Sequence, residues 1–99
     1  MPLDWAGLQR EFGHGGDIPT VAGGKTLHIT AVDDEYIYIK HSLWRDQLAR
    51  DHLEKAVALI EADAMTRHPG LFAEEYRTMV ADVRATSVAH VLKHLGILD

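Results

Sequence analysis

Histidine is the reactive residue type this chain is rich in, seven in ninety-nine residues. His90 and His94 are four apart, so on a helix they face the same way, the spacing at which two imidazoles chelate zinc or nickel. The metalloprotease pattern places Glu directly after the first His. Val91 stands there instead, and no third ligand is identifiable. His90 and His94 are thus the metal candidates, and no metal site is assigned. The plainer reading makes them partly exposed side chains near a helix C-terminus, where the imidazolium form is favoured.

A second set is His14, Asp17 and His28. A histidine and a carboxylate can serve as acid and base, but nothing in the sequence positions these three together. Gly24-Lys25-Thr26 echoes the end of a phosphate-binding loop. The motif's first glycine would fall on Pro19, and the segment leads into a strand where the motif must open a helix. Glu74 and Glu75 are adjacent, so on a helix they project about 100° apart and form no dyad. There is no cysteine, hence no thiol nucleophile, and no nucleophile elbow. Enzyme activity is not expected, and no cofactor is implied.

The elements that would carry these residues are readable from periodicity. Lys25 to Val32 alternates, Asp33-Asp34-Glu35 turns, and Tyr36 to Lys40 alternates back, a hairpin signature. Leu27, Ile29 and Ala31 share one face with Ile37 and Ile39. The other face carries Thr26, His28, Thr30, Val32, Tyr36 and Tyr38. Tyrosines pair well across strands while keeping a hydroxyl in water, and aromatics on a sheet can also stack bases. Residues 41–49 fit a helix capped by Ser42, a loop or a third strand equally.

Asp4 suits the cap of a short helix to about Phe12, with Trp5, Leu8 and Phe12 on one face and Gly13 as a left-handed terminus. Those aromatics either anchor the segment on the core or dock it on another subunit. Residues 13–24 hold five glycines and a proline and read as a mobile loop or flap. Leu53, Ala56, Val57, Ile60 and Ala64 form an apolar stripe, with Asp51 near the helix start. Pro69-Gly70 breaks the chain, and a helix from about Leu71 carries Phe72, Tyr76, Met79, Val80 and Val83. Thr86 or Ser87 then caps a last helix with Val88, Val91, Leu92 and Leu95, closed by Gly96 at its C′ position. Ile29, Ile39, Leu53, Val57, Ile60, Val80, Leu92 and Leu95 are the expected core.

Ninety-nine residues suffice for one domain, which buries roughly 60–70% of its unfolded surface. A hydrophobic content of 46% argues against disorder. The net charge of −5, with bases interleaved among acids as in Arg45-Asp46 and Arg50-Asp51, argues against simple electrostatic binding of nucleic acid. No apolar run approaches the ~20 residues that span a bilayer. No basic region followed by an apolar one opens the chain, so no signal peptide is expected and the protein reads as soluble and cytoplasmic.

Three segments carry a resemblance: Gly24-Lys25-Thr26-Leu27-His28-Ile29, then Leu48-Ala49-Arg50-Asp51-His52-Leu53-Glu54-Lys55-Ala56, then Arg84-Ala85-Thr86-Ser87-Val88-Ala89-His90-Val91-Leu92. Together they resemble small α+β orphan proteins carried as integron gene cassettes, and more diffusely the modules appended to restriction and mobile-element proteins. In those modules a Ser caps the Leu-Glu-x-Ala helix; here Ala49 stands in its place. The resemblance implies a small, self-associating mobile-element protein and no catalytic motif.

The expected fold is therefore α+β, an antiparallel β-hairpin, with room for a third strand, packed against three or four helices. The expected function is non-enzymatic: a homo-oligomeric interaction module, a dimer above all. Trp5, Phe12, His28, Tyr36, Tyr38 and Trp44 are the candidate interaction surface, and a separate protein partner is compatible with it. The other two readings are a nucleic-acid-associated accessory module, and a small-molecule binder with a pocket between sheet and helices, lidded by the glycine loop.

Overall fold

The computed structural model describes residues 3–19, 26–40, 45–82 and 84–99. Their order is α1 (Trp5–Phe12), β1 (Gly16–Pro19), β2 (Thr26–Val32), β3 (Tyr36–Lys40), β4 (Arg45–Ala49), α2 (Arg50–Glu61), α3 (Pro69–Met79) and α4 (Ala85–His94). The strands form one four-stranded sheet in the order β1-β2-β3-β4, antiparallel throughout. The protein is thus α+β, with its hairpin packed against helices.

The inner face of the sheet is aliphatic. Ile18, Leu27, Ile29, Val32, Ile37, Ile39 and Leu48 are buried with the apolar stripes of the four helices. Side chains of the opposite face are exposed or half-buried, so the helices cover one side only. Leu53, Val57, Ile60 and Leu92 are buried as their periodicity requires, whereas Val80 and Leu95 are only partly so.

Several local expectations change, each for a physical reason. Within the glycine-rich segment, Gly16–Pro19 is an edge strand and not loop, because Ile18 reaches the core at 1% exposure and its backbone pairs with β2. Gly16 has to be glycine: a Cβ there would meet the Phe12 ring at 2.6 Å. Gly13 ends α1 in a right-handed conformation, and the positive φ falls at Gly15, φ 97°. The rest of the expected loop, residues 20–24, and the segment 41–44, which contains Trp44, lie outside the described residues. Of the ambiguous stretch 41–49, residues Arg45–Ala49 are strand β4.

In β2 the register shifts between Ile29 and Ala31. This β-bulge leaves Thr30 as the extra residue and moves everything after it by one place. Val32 therefore turns inward opposite Ile37, and Ala31 turns outward opposite Tyr38, the reverse of strict alternation.

α2 ends at Glu61, and Asp63 takes φ 59°. That reversal leaves Ala64 exposed and brings Met65 into the core instead. Pro69 and Gly70 begin α3 and do not merely precede it: proline is tolerated at the first helical position, and the His68 Nδ1 accepts a hydrogen bond from the Gly70 N–H at 3.0 Å. α4 starts at Ala85 after Arg84 in a left-handed conformation, so Thr86 and Ser87 lie inside its first turn and do not cap it. Gly96, at φ 79°, supplies the C-terminal reversal, and Leu98 folds back to bury itself.

The hairpin turn is built on one carboxylate. Asp33 accepts hydrogen bonds from the backbone N–H groups of Glu35 at 2.8 Å and Tyr36 at 2.7 Å, and from the Tyr38 hydroxyl at 2.6 Å. The Tyr38 hydroxyl, then the two N–H groups, hold its pKa below the ordinary value of 3.8, and the same bond raises that of Tyr38. A depressed folded-state pKa stabilises the fold above the unfolded value and ceases to do so as pH falls through the folded one. Wild type should thus lose stability on acidification below 3.8, and Asp33→Asn should lose less across that same interval. Denaturation midpoints at two pH values measure the difference.

Candidate functional site

The open face of the sheet is the first candidate. Strand pairing aligns Asp17, His28, Lys40 and Arg45 in one row across β1, β2, β3 and β4. Asp17 Oδ1 and His28 Nδ1 are 2.7 Å apart. A carboxylate only accepts, so Nδ1 carries the proton and Nε2 faces solvent as the acceptor when the ring is neutral. This is the acid–base pair that the sequence names without joining; eleven residues separate its members, and only the β1–β2 ladder brings them together. His14 lies exposed in the turn before β1. Both paired side chains are about 60% exposed. A base of this kind acts on a substrate only in a site that binds it and excludes water, and this pair lies on an open face.

Tyr36 and Tyr38 lie on the same face, half-buried, with ring centroids 6.0 Å apart. Around the bulge, Thr30, Tyr38, Arg45 and Gln47 line a hollow of about 270 Å³. Lys40 and Arg45 are the face's two described bases, a thin supply for phosphate contacts.

Trp5 and Phe12 do not belong to this surface. They are 3% and 4% exposed. Trp5 donates from Nε1 to the Asp33 carbonyl at 2.7 Å, and the Arg50 guanidinium sits 5.3 Å from the ring centroid. Of the two readings of the N-terminal aromatics, the structure takes the core anchor, because α1 finds its apolar partner in the inner face of its own sheet.

His94 meets Glu11 at 3.0 Å through Nε2, and its ring lies 5.4 Å from that of Phe12. It therefore ties the end of α4 to α1. His90 is partly buried, which lowers its pKa. Among the described residues no group of three or more His, Asp or Glu is placed to hold a metal ion.

A second candidate lies at the free edge of β4, where the chain leaves a cleft of about 230 Å³ between strand and helices. Asp46 occupies an inward position opposite Ile39, only 15% exposed, and is ion-paired with Arg84 Nε. Beside this pair the cleft is lined by Leu48, Ala49, His52, Tyr76 and Val88, and Tyr36 reaches it across Ala49. Sequence reasoning missed Asp46, Tyr76 and Arg84 as site residues. One signal was present: once 45–49 is strand, alternation with Leu48 puts an acid on the buried face. The cleft lies at the opposite edge of the sheet from β1.

The fold and its surfaces define a class: a small α+β protein with an open-faced antiparallel sheet. No family model, no curated protein and no solved structure matches the chain. No helix among the described residues is long and apolar enough to cross a membrane.

Proposed function

We propose that this protein is a non-enzymatic interaction module acting as a two-fold homodimer, with the open face of the sheet as its contact surface. The observation that carries the reading is the order of charge along the row Asp17, His28, Lys40, Arg45. A two-fold axis parallel to the strands, set between two such faces, reverses the row. Asp17 then meets Arg45 of a second copy, and Arg45 meets its Asp17. The same operation exchanges β2 with β3, so the bulky Tyr38 lies over the small Thr30–Ala31 bulge of the second copy. His28 meets Lys40, a match that Asp17 beside His28 softens. Two-fold dimers are the commonest closed assembly, and they demand a self-complementary patch of this kind. The mobile-element setting implied by the resemblance, and the cytoplasm, which the lack of cysteine allows, belong to the same proposal.

Charge exchange tests it. Arg45→Asp should weaken dimerisation at least about tenfold, equivalent to about 1.4 kcal/mol, by setting like charges opposite each other. Asp17→Arg added to Arg45→Asp should restore it. Sedimentation of the single and double variants reads both effects. A single variant that dimerises like wild type, or a double variant no better than the single, overturns this geometry.

A further inference from the structure

We propose that the cleft at the β4 edge binds a small organic carboxylate with a compact apolar body. The proposal does not rest on dimerisation.

Four observations converge on this ligand. Tyr76 lines the cleft at 1% exposure, and its hydroxyl has no hydrogen-bond partner among the described residues. Buried hydroxyls are almost always satisfied, and an unsatisfied one is costly; a ligand acceptor would satisfy this one. Burial pushes its pKa up to about 12, with the Arg84 charge acting against it. The phenol therefore stays protonated as a donor, close to a guanidinium.

The second observation concerns helix ends. α1 and α3 are capped by side chains, those of Asp4 and His68. α2 and α4 are not: their N-cap residues are Ala49 and Arg84, neither with a side-chain cap. Those two uncapped positions line the same cleft; the Arg50 N–H of α2 already donates to the Glu35 carbonyl at 2.8 Å, and the N–H groups after it, with those that open α4, are the donors an anion would complete.

Third, Arg84 engages Asp46 through Nε, which uses part of a guanidinium with five N–H donors and leaves the rest for a second carboxylate. Arg84 is held in a left-handed backbone at φ 56°, a conformation a non-glycine residue adopts at a cost and that recurs at ligand sites. Fourth, Leu48 and Val88 supply apolar wall, and the volume of about 230 Å³ lies between the ~150 Å³ that holds benzene and the ~300 Å³ where drug-sized pockets begin. An anionic head with a body about one ring in size fits that description; a bare inorganic anion would leave the apolar wall wet.

The test is a ¹H–¹⁵N chemical-shift titration of the whole protein with benzoate, benzamide and inorganic phosphate, to about 10 mM, enough to see affinities near 1 mM. Benzoate should move the amides of residues 50–53 and 85–88 together, with benzamide and phosphate each binding at least about tenfold more weakly. Tyr76→Phe should leave the unliganded melting temperature unchanged or raise it by about 4 °C, while benzoate binding falls at least about threefold. Arg84→Gln should lose benzoate while the resonances of β1 and β2, away from the Asp46 ion pair, stay in place. Equal binding of benzamide, tighter binding of phosphate, or no benzoate shift at those amides overturns the proposal. So does a Tyr76→Phe variant that melts lower than wild type, since its hydroxyl would then already have a partner.

Discussion

Trp5→Ala is expected to cost about 3–5 kcal/mol of folding stability, the range for removing a large buried aromatic. Trp5 is 3% exposed at the start of α1, and three separate contacts end with it. Its ring packs in the core. Its Nε1–H satisfies the Asp33 carbonyl at 2.7 Å, and its face lies 5.3 Å from the Arg50 guanidinium. The substitution therefore loosens the hairpin turn and the start of α2 together. A domain of this size has roughly 5–15 kcal/mol in hand, so the loss takes a large share of the total and the denaturation midpoint should fall well below that of wild type. Urea denaturation measures the loss. A value below about 1 kcal/mol, little more than one buried methylene is worth, would mean that α1 is detachable and that Trp5 is available to another molecule after all.

The second large effect is expected at Ile60. It is fully buried on α2, in the stripe with Leu53, Ala56 and Val57 that enters the core. Ile60→Ala should cost about 2–5 kcal/mol, a transfer term plus the cavity left in a core that cannot collapse around it. Leu59, one residue earlier, is only partly buried, so Leu59→Ala should cost clearly less. Guanidinium titrations of the two variants side by side give the comparison. Equal losses would mean that the helix is rotated from the orientation described.

What was legible in the sequence follows the range of the interactions involved. The hairpin was readable because its partners are neighbours in the chain. Asp33 to Glu35 makes the turn locally, and Leu27, Ile29, Ile37 and Ile39 alternate as a half-buried ladder must. The helices were readable for the same reason, and so were the cap at Asp4 and the reversal at Gly96. What escaped depends on distant pairing. β1 has one core residue, Ile18, in a run rich in glycine, and it is a strand only because β2 offers an open edge. The Thr30 bulge shifts Val32 inward without any glycine or proline to announce it. Asp17 and His28 were both visible as chemistry, and their meeting was not. The edge cleft draws on Tyr36, Ala49, Tyr76 and Arg84, four places that no local pattern joins. Trp5 and Phe12 teach a related lesson. An aromatic face on a terminal helix has the same sequence pattern whether it docks on its own sheet or on another subunit, and only the presence of an uncovered inner face decides.

Self-association through the sheet face is read most directly from the mass of the wild-type protein in solution, measured by light scattering. At about 10 μM, above the micromolar Kd that about 8 kcal/mol of association supplies, the expected mass is twice the 11.0 kDa of one chain, falling toward one chain's mass on dilution and in the Arg45→Asp variant. A mass of one chain that does not change with concentration would contradict it.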